Sequence, residues 1–178
     1  KLIFNYEVKP KQTLYFVGNF DSAQSDNFQI WTQGQGKYTS HWLPSFDDVN
    51  EKVIFNISIA FKENYEFFSN GNFKSSILTE TANLKYFQMQ KPMSSYLVML
   101  AFGNFFKEEV KSKSGTSLEF YIYKNDYSKF EPTYRYSKQI FDYLEQEIGM
   151  EYPWKIYRQV PVRDFLYAGM ENTTSTIF

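Results

Sequence analysis

Histidine and cysteine, the side chains that most often bind zinc or act as nucleophiles with it, are nearly absent from this chain. The chain has a single histidine, His41, and no cysteine, so neither a thiolate metal site nor a cysteine nucleophile can form. Asp47 and Asp48 are adjacent carboxylates, but neighbouring side chains on an extended chain point apart. We therefore interpret the two aspartates as turn or capping residues and His41 as a structural or surface residue.

Two segments are more informative. Residues 160–172 read Val-Pro-Val-Arg-Asp-Phe-Leu-Tyr-Ala-Gly-Met-Glu-Asn, and residues 31–35 read Trp-Thr-Gln-Gly-Gln, followed by Leu-Pro-Ser-Phe-Asp-Asp at 43–48. Taken alone, Glu171 would be a solvated surface carboxylate. Gln33 and Gln35, two residues apart, would be the exposed face of a strand. The combination and order of the segments change that interpretation.

The end of the first segment, residues 168–172, resembles the GxMEN exopeptidase motif of the zinc aminopeptidase family that includes aminopeptidase N and leukotriene hydrolase. Ala168 stands in place of the first Gly of the motif. The second segment resembles the same family's Thr-Gln-x-Gln/Glu stretch and the Phe-Pro-x-Phe-Asp-Glu turn that follows it. Both matches occur in the family's order, and the resemblance covers roughly residues 31–178.

The resemblance implies a site for the free N-terminus of a peptide. A fixed carboxylate separates an α-ammonium from an internal amide, because only the ammonium can form a charge-assisted hydrogen bond with it. Glu171 is the candidate for that carboxylate. Gln35 is the candidate for a second group at the amine, where many family members carry Glu, and Gln33 would line the pocket for the first side chain.

The remaining motif residues would shape the surface beside Glu171. Gly169 lacks a Cβ, so a substrate backbone could lie close against it and pair with its main chain. Ala168 would also border the substrate. The resemblance further implies that Asn172 supports the Glu171 carboxylate and that Met170 packs beneath it.

The zinc of this family needs two imidazoles one helical turn apart and a later carboxylate, as in HExxH. One histidine cannot provide this site, so the sequence predicts that zinc and the catalytic residues lie downstream, in the rest of the enzyme's own catalytic domain. The fragment alone is expected to be inactive. The intact enzyme would remove N-terminal amino acids from peptides.

The fold is predicted to be mainly β. Residues 1–123 alternate like strands and indicate a saddle-like or sandwich-like antiparallel β domain. Val53, Phe55, Ile57, Ile59 and Phe61 share one face of the clearest strand. Residues 1–8 also alternate, and Tyr96, Val98, Leu100 and Phe102 predict another strand. Asn70 and Gly71 suit a tight hairpin between two strands.

A polar linker is predicted at residues 124–131, and residues 132–178 indicate the start of an α/β, thermolysin-like domain. Pro132 suits the first turn of a helix whose apolar face includes Ile140, Leu144 and Ile148. Gly149 would end that helix.

Other classes of function are excluded or left open by composition. A formal net charge of -1 without a basic stripe argues against nucleic acid as a partner, and no apolar run is long enough to span a bilayer. Two alternatives to the peptidase remain, a non-catalytic β-sandwich that binds a peptide, a sugar or a protein, and an inactive aminopeptidase homologue.

Overall fold

The computed structural model describes residues 1–18, 28–61 and 65–178. Its strands are β1 (Leu14–Val17), β2 (Gln29–Thr32), β3 (Lys52–Val53), β4 (Asn56–Phe61), β5 (Glu66–Ser69), β6 (Asn72–Leu78), β7 (Asn83–Gln88), β8 (Met93–Ser94), β9 (Leu100–Gly103), β10 (Phe105–Lys111), β11 (Ser117–Tyr123), β12 (Ile156–Val160) and β13 (Ser175–Ile177). Its α-helices are α1 (Phe130–Tyr134) and α2 (Ser137–Ile148).

The amino-terminal part consists of antiparallel sheets. Sheet I has the order β1-β2-β9-β5, sheet II has the order β4-β7-β6, and β3 pairs with β8. Sheets I and II pack against each other through a buried cluster of Phe28, Phe67, Phe87 and Phe102. This mainly β, antiparallel architecture confirms the predicted fold class. Aromatic side chains fill much of the core because each buries a large apolar area.

The predicted alternation of β4 is confirmed, because Ile57, Ile59 and Phe61 are half-buried while the residues between them are exposed. The strand is shorter than predicted, and Val53 lies exposed in the separate strand β3. One further predicted strand is wrong, and another begins later than predicted. Residues 1–8 form no strand. Leu100 and Phe102 lie in β9 as predicted, but Tyr96 belongs to a 3₁₀ helix at Ser95–Leu97 that precedes the strand.

The predicted hairpin at Asn70 and Gly71 is also wrong. Gly71 has the expected positive φ of 81°, but β5 pairs with β9 and β6 pairs with β7. The two residues therefore form a corner at which the chain leaves sheet I and enters sheet II. A Cβ on Gly71 would lie 2.3 Å from the carbonyl oxygen of Gln88, so the corner has no room for a side chain.

Gly71→Ala is therefore expected to destabilise the chain much more than Gly115→Ala. Gly115 has a similar φ of 89°, and a Cβ at that position would meet nothing within 4 Å, so its change costs about 1 kcal/mol for the left-handed backbone alone. Gly71→Ala adds a clash with backbone and should cost about 3 kcal/mol. Urea denaturation of both variants measures the difference, and equal losses would contradict the close approach at Gly71.

Sheet III has the order β10-β11-β12-β13. β10 and β11 form an antiparallel hairpin, whereas β11, β12 and β13 run parallel. All seven residues of β11 are buried, as expected for a strand covered on both faces. The predicted linker contains a 3₁₀ helix, Lys124–Lys129. β11 precedes residues 124–131 and β12 follows them, yet the two strands pair in one sheet. The division of the chain into two domains at this linker stays a prediction.

The crossover between β11 and β12 is helical. The predicted end of the helix is confirmed, because α2 ends at Gly149, which adopts the left-handed conformation with φ 70°. The single predicted helix is wrong, because Pro132 lies in the first turn of the separate helix α1, which ends at Tyr134. The apolar face of α2 is largely open, since Ile140, Leu144 and Ile148 are exposed. This face borders a groove of about 480 Å³ between α2 and sheet III. No helix in the described ranges has the length and apolar character needed to span a bilayer.

Candidate substrate-binding site

The two motif segments meet where strand β2 of sheet I contacts the loop before β13, residues 161–174. We call this contact region the seam. Trp31, 1% exposed, donates a hydrogen bond from Nε1 to the carbonyl oxygen of Arg163 at 3.1 Å. Its ring contacts Phe165 edge-on, with 5.2 Å between ring centroids. The Arg163 backbone N–H donates to Oε1 of Gln29 at 2.8 Å. Strand β2 therefore holds the beginning of the loop that leads to Glu171.

The motif residues after this loop return to the edge of sheet III. Met170 is 1% exposed and forms an isolated antiparallel bridge with Ile177, with N···O distances of 2.8 Å and 3.0 Å. Asn172 is 2% exposed, and its Nδ2 donates to the Met170 carbonyl at 3.4 Å. The buried residues on both sides of Glu171 hold its main chain in one place.

Glu171 itself is exposed. Among the described residues, its carboxylate has no hydrogen-bond or ion-pair partner. Gly169 and Ala168 are also exposed, and a Cβ on Gly169 would come no closer than 3.6 Å to its surroundings. Packing within the described chain does not require a glycine at position 169, so a reason for one would have to come from a ligand or another segment.

Gln33 and Gln35 lie in the turn that follows β2. The side chain of Gln33 is folded back, and its Oε1 accepts a hydrogen bond from the Gln35 backbone N–H at 3.0 Å. Gln33 is 5% exposed, whereas Gln35 is exposed. No hydrogen bond joins either glutamine to Glu171 within the described residues. The structure thus brings the two segments to one seam without direct contact between their key side chains.

Buried polar atoms without partners are concentrated along this seam. They are Nε2 of Gln29, Nε2 of Gln33, Nε of Arg163, Oδ1 of Asn172 and Oγ of Ser175, and the described part of the chain has two further such atoms, on Tyr123 and Trp154. Buried polar groups are normally hydrogen-bonded. The seam therefore has unused hydrogen-bonding capacity that a ligand, water or another protein segment could fill.

A buried ion pair lies behind the motif, where sequence reasoning did not expect one. Arg158, 2% exposed at the side chain, donates from Nε to Oε2 of Glu119 at 2.7 Å, and the Tyr121 hydroxyl donates to the same oxygen at 2.8 Å. Lys107 pairs with the other carboxylate oxygen at 3.1 Å. Three donors therefore surround one carboxylate.

These donors determine the ionisation of the cluster. Burial alone would raise the pKa of Glu119, but the charge of Arg158, the Tyr121 hydroxyl and Lys107 outweigh burial and lower it. Burial and the neighbouring Glu119 charge both raise the pKa of Tyr121. Glu119 is therefore ionised and Tyr121 neutral at neutral pH. The signal in the sequence was a charged residue, Arg158, two positions from both Ile156 and Val160 and therefore on the same buried face of β12.

The zinc implied by the family resemblance has no fit among the described residues. No three His, Cys, Asp or Glu side chains in the described ranges lie together as metal ligands do.

Residues 2–97 match the Peptidase M1 N-terminal domain, which is more than half of the chain. The chain belongs to this family, and the predicted relationship to zinc aminopeptidases is confirmed. The match begins at residue 2, so the family relationship includes the first 30 residues, which the sequence had suggested only as generic strands.

Individual relatives agree with this assignment. Glutamyl aminopeptidase of Mus musculus is 33% identical over 131 residues, which are 73% of this chain and 14% of that protein. Glutamyl aminopeptidase of Homo sapiens is 30% identical over 161 residues, covering 88% and 17%. Puromycin-sensitive aminopeptidase of Caenorhabditis elegans is 25% identical over 154 residues, covering 85% and 16%. The chain thus spans only about a sixth of the length of these relatives.

Proposed function

We propose that the intact protein is a zinc-dependent aminopeptidase and that this chain supplies the group that recognises the peptide's free N-terminus. The observation that carries the proposal is the Glu171 carboxylate, which is exposed and unpaired among the described residues, beside a seam with unused buried polar atoms. Membership of the Peptidase M1 N-terminal domain family supports it. Peptides with a free N-terminus are the proposed substrates.

In this proposal, Glu171 recognises the substrate amine through the negative charge of its carboxylate. An α-ammonium offers three N–H donors and a full positive charge, so a carboxylate that it meets outside bulk water gains a strong charge-assisted hydrogen bond. An N-acetylated terminus offers neither the charge nor the same donors, and the Glu171 carboxylate would be desolvated without compensation. This difference selects the first residue of a peptide and places the first peptide bond at a constant distance from the amine.

Gln35 is the proposed second amine ligand. Its side chain is exposed, and the Gln33 oxygen holds its backbone N–H at 3.0 Å. The Gln35 amide oxygen can therefore accept from an ammonium without adding a second negative charge. Gln33 keeps one buried donor, Nε2, free, which can bind a main-chain or side-chain oxygen of the first substrate residue.

The motif residues beside Glu171 complete the proposed surface. Gly169 and Ala168 are exposed, and the missing Cβ of Gly169 lets a substrate backbone approach its main chain. Met170 and Asn172 are buried. Met170 anchors the motif through its bridge to Ile177, and Asn172 supports the main chain that carries Glu171 through its bond to the Met170 carbonyl.

The remaining machinery is proposed to come from the rest of the protein's own catalytic domain. Residues 1–123 would be the amino-terminal β domain and residues 132–178 the start of that catalytic domain, joined by residues 124–131. The open apolar face of α2 is a surface on which further catalytic-domain residues can pack. Zinc bound by those residues would polarise the scissile carbonyl and activate water. This chain alone is expected to be inactive.

The test is an assay of the intact protein against aminoacyl-fluorophore substrates, including a glutamyl one, and their N-acetylated forms. Cleavage of the free amines that a zinc chelator abolishes and that added zinc restores would support the proposal. Equal cleavage of acetylated substrates would contradict amine recognition. Peptide binding without any cleavage would instead favour a non-catalytic binding module or an inactive homologue.

Gln35→Glu in the intact protein is expected to lower KM for aminoacyl-fluorophore substrates about fivefold, because a second carboxylate strengthens ammonium binding. The kcat should change little. Gln90→Glu, another glutamine-to-glutamate change at an exposed side chain, is the control for added negative charge. An unchanged KM for Gln35→Glu would count against Gln35 as an amine ligand.

A further inference from the structure

The main chain immediately after Glu171 is bent in a way that needs outside support. The backbone N–H of Ser175 donates to the carbonyl of Asn172 at 2.9 Å, which closes a tight turn over residues 172–175. Thr174 within this turn has a φ of 70°. A β-branched residue rarely adopts a positive φ, and such a conformation persists only where its surroundings determine it.

The corner at Asn70 and Gly71 provides that support. The Gly71 backbone N–H donates to Oγ1 of Thr174 at 2.8 Å. Asn70 Nδ2 donates to the carbonyl of Thr173 at 2.6 Å and to the carbonyl of Leu97 at 2.9 Å. The bonds to Thr173 and Thr174 join the turn after Glu171 to residues about a hundred positions earlier in the chain.

On its other side, the same corner is connected to residues 31–35, the segment that carries Gln33 and Gln35. Oδ1 of Asn70 accepts a hydrogen bond from the backbone N–H of Met99 at 2.7 Å. Beside it, the hydroxyl of Thr32 contacts the carbonyl of Val98 at 3.4 Å and accepts from the N–H of Leu100 at 2.9 Å. Thr32 directly precedes Gln33. The corner therefore lies between the two segments that the proposed amine site uses.

Arg158 holds the corner rigidly. Its Nη1 donates to the carbonyls of Ser69 at 3.1 Å and Gly71 at 2.9 Å, while its Nε is engaged by Glu119. The Arg158 backbone N–H also donates to the carbonyl of Thr174 at 2.9 Å. One arginine therefore contacts both the corner and the turn that the corner supports.

We infer that Asn70, Gly71 and Thr174 form a positioning element that sets the orientation of Glu171 toward the substrate amine. The inference rests on the proposed function of Glu171. The three residues do not touch the substrate. They fix the turn that follows Glu171, as the bridge between Met170 and Ile177 fixes the residue before it.

The test uses Thr174→Val and Thr174→Ser in the intact protein. Valine keeps the shape but removes the oxygen that accepts from Gly71, whereas serine keeps that oxygen. Thr174→Val is expected to raise KM for free-amine substrates about tenfold with kcat within about twofold, and to reduce the preference over N-acetylated substrates to the same extent. Thr174→Ser should retain KM near the wild-type value.

A second readout does not depend on activity. Hydrogen–deuterium exchange of the amides at 171–175 should become about tenfold faster in Thr174→Val and stay near wild type in Thr174→Ser. Thr174→Gly removes the hydroxyl but relieves the positive φ, so it should fold well and still show the raised KM. This variant separates loss of positioning from loss of folding.

Each result has a definite consequence. An unchanged KM in Thr174→Val and Thr174→Gly, with or without faster exchange, would overturn the positioning role. If Glu171→Gln raises KM while the Thr174 variants do not, only this inference fails. If Glu171→Gln itself leaves KM and amine preference unchanged, the proposed function fails as well.

Discussion

Replacing Glu171 by Gln in the intact protein is expected to lower kcat/KM for substrates with a free α-amine by about 100-fold, the value of one charge-assisted hydrogen bond. The preference over N-acetylated substrates should fall by the same factor, since the lost interaction requires a charged amine. Stability should change by less than about 0.5 kcal/mol, because the Glu171 carboxylate is exposed and has no partner among the described residues.

Glu80→Gln is the matched control for this experiment. Glu80 is also exposed, and its change removes the same charge from the chain far from the two motif segments in sequence. It should leave kcat/KM and amine preference unchanged. If Glu80→Gln reduced activity as much as Glu171→Gln, a general effect of net charge would explain the loss and specific amine recognition would be contradicted.

The largest effect on stability is expected for Glu119→Leu. This change leaves the guanidinium of Arg158, 2% exposed, without its carboxylate partner, and an uncompensated buried charge costs about 3–5 kcal/mol. The double variant Glu119→Leu with Arg158→Met should recover part of that loss, because an apolar pair can replace a buried ion pair, although the carbonyls of Ser69 and Gly71 then lose the Arg158 donor. Urea denaturation of the single and double variants measures both values.

Glu66→Leu is the control for the buried pair. Glu66 also pairs with a lysine, Lys85, but its side chain is 57% exposed, so the change should cost less than about 1 kcal/mol. If Glu66→Leu and Glu119→Leu lost the same amount of stability, burial would not explain the large effect expected at Glu119. A double variant less stable than Glu119→Leu would show that Arg158 stabilises the chain through its bonds to Ser69 and Gly71 alone.

The contribution of Glu119 should also depend on pH. Its pKa is lowered in the folded chain, so its stabilising effect is complete above the ordinary glutamate pKa of about 4.3 and is lost as the pH falls through the folded value. The difference in stability between the wild type and Glu119→Leu should therefore shrink below about pH 4. A difference that stayed constant under acid conditions would contradict the ionised pair.

Local patterns predicted local structure well. The alternation of Ile57, Ile59 and Phe61 identified β4, and Gly149 identified the end of α2, because side-chain period and backbone freedom act within a few residues. Asn70 and Gly71 were predicted wrongly for a related reason. Gly71 has the positive φ that its type favours, but whether such a turn closes a hairpin depends on the strands that pair with β5 and β6, and these are β9 and β7.

The sequence by itself determined the family, because motifs such as residues 168–172 are short enough to be recognised without any fold. It also determined the mainly β character of the chain, which depends on alternation along each strand. Only the tertiary structure decided that Arg158 bonds to the corner at Ser69 and Gly71, and that Asn70 and Gly71 support the turn after Glu171. These contacts join residues about ninety to a hundred positions apart, and no local period encodes which distant residues meet.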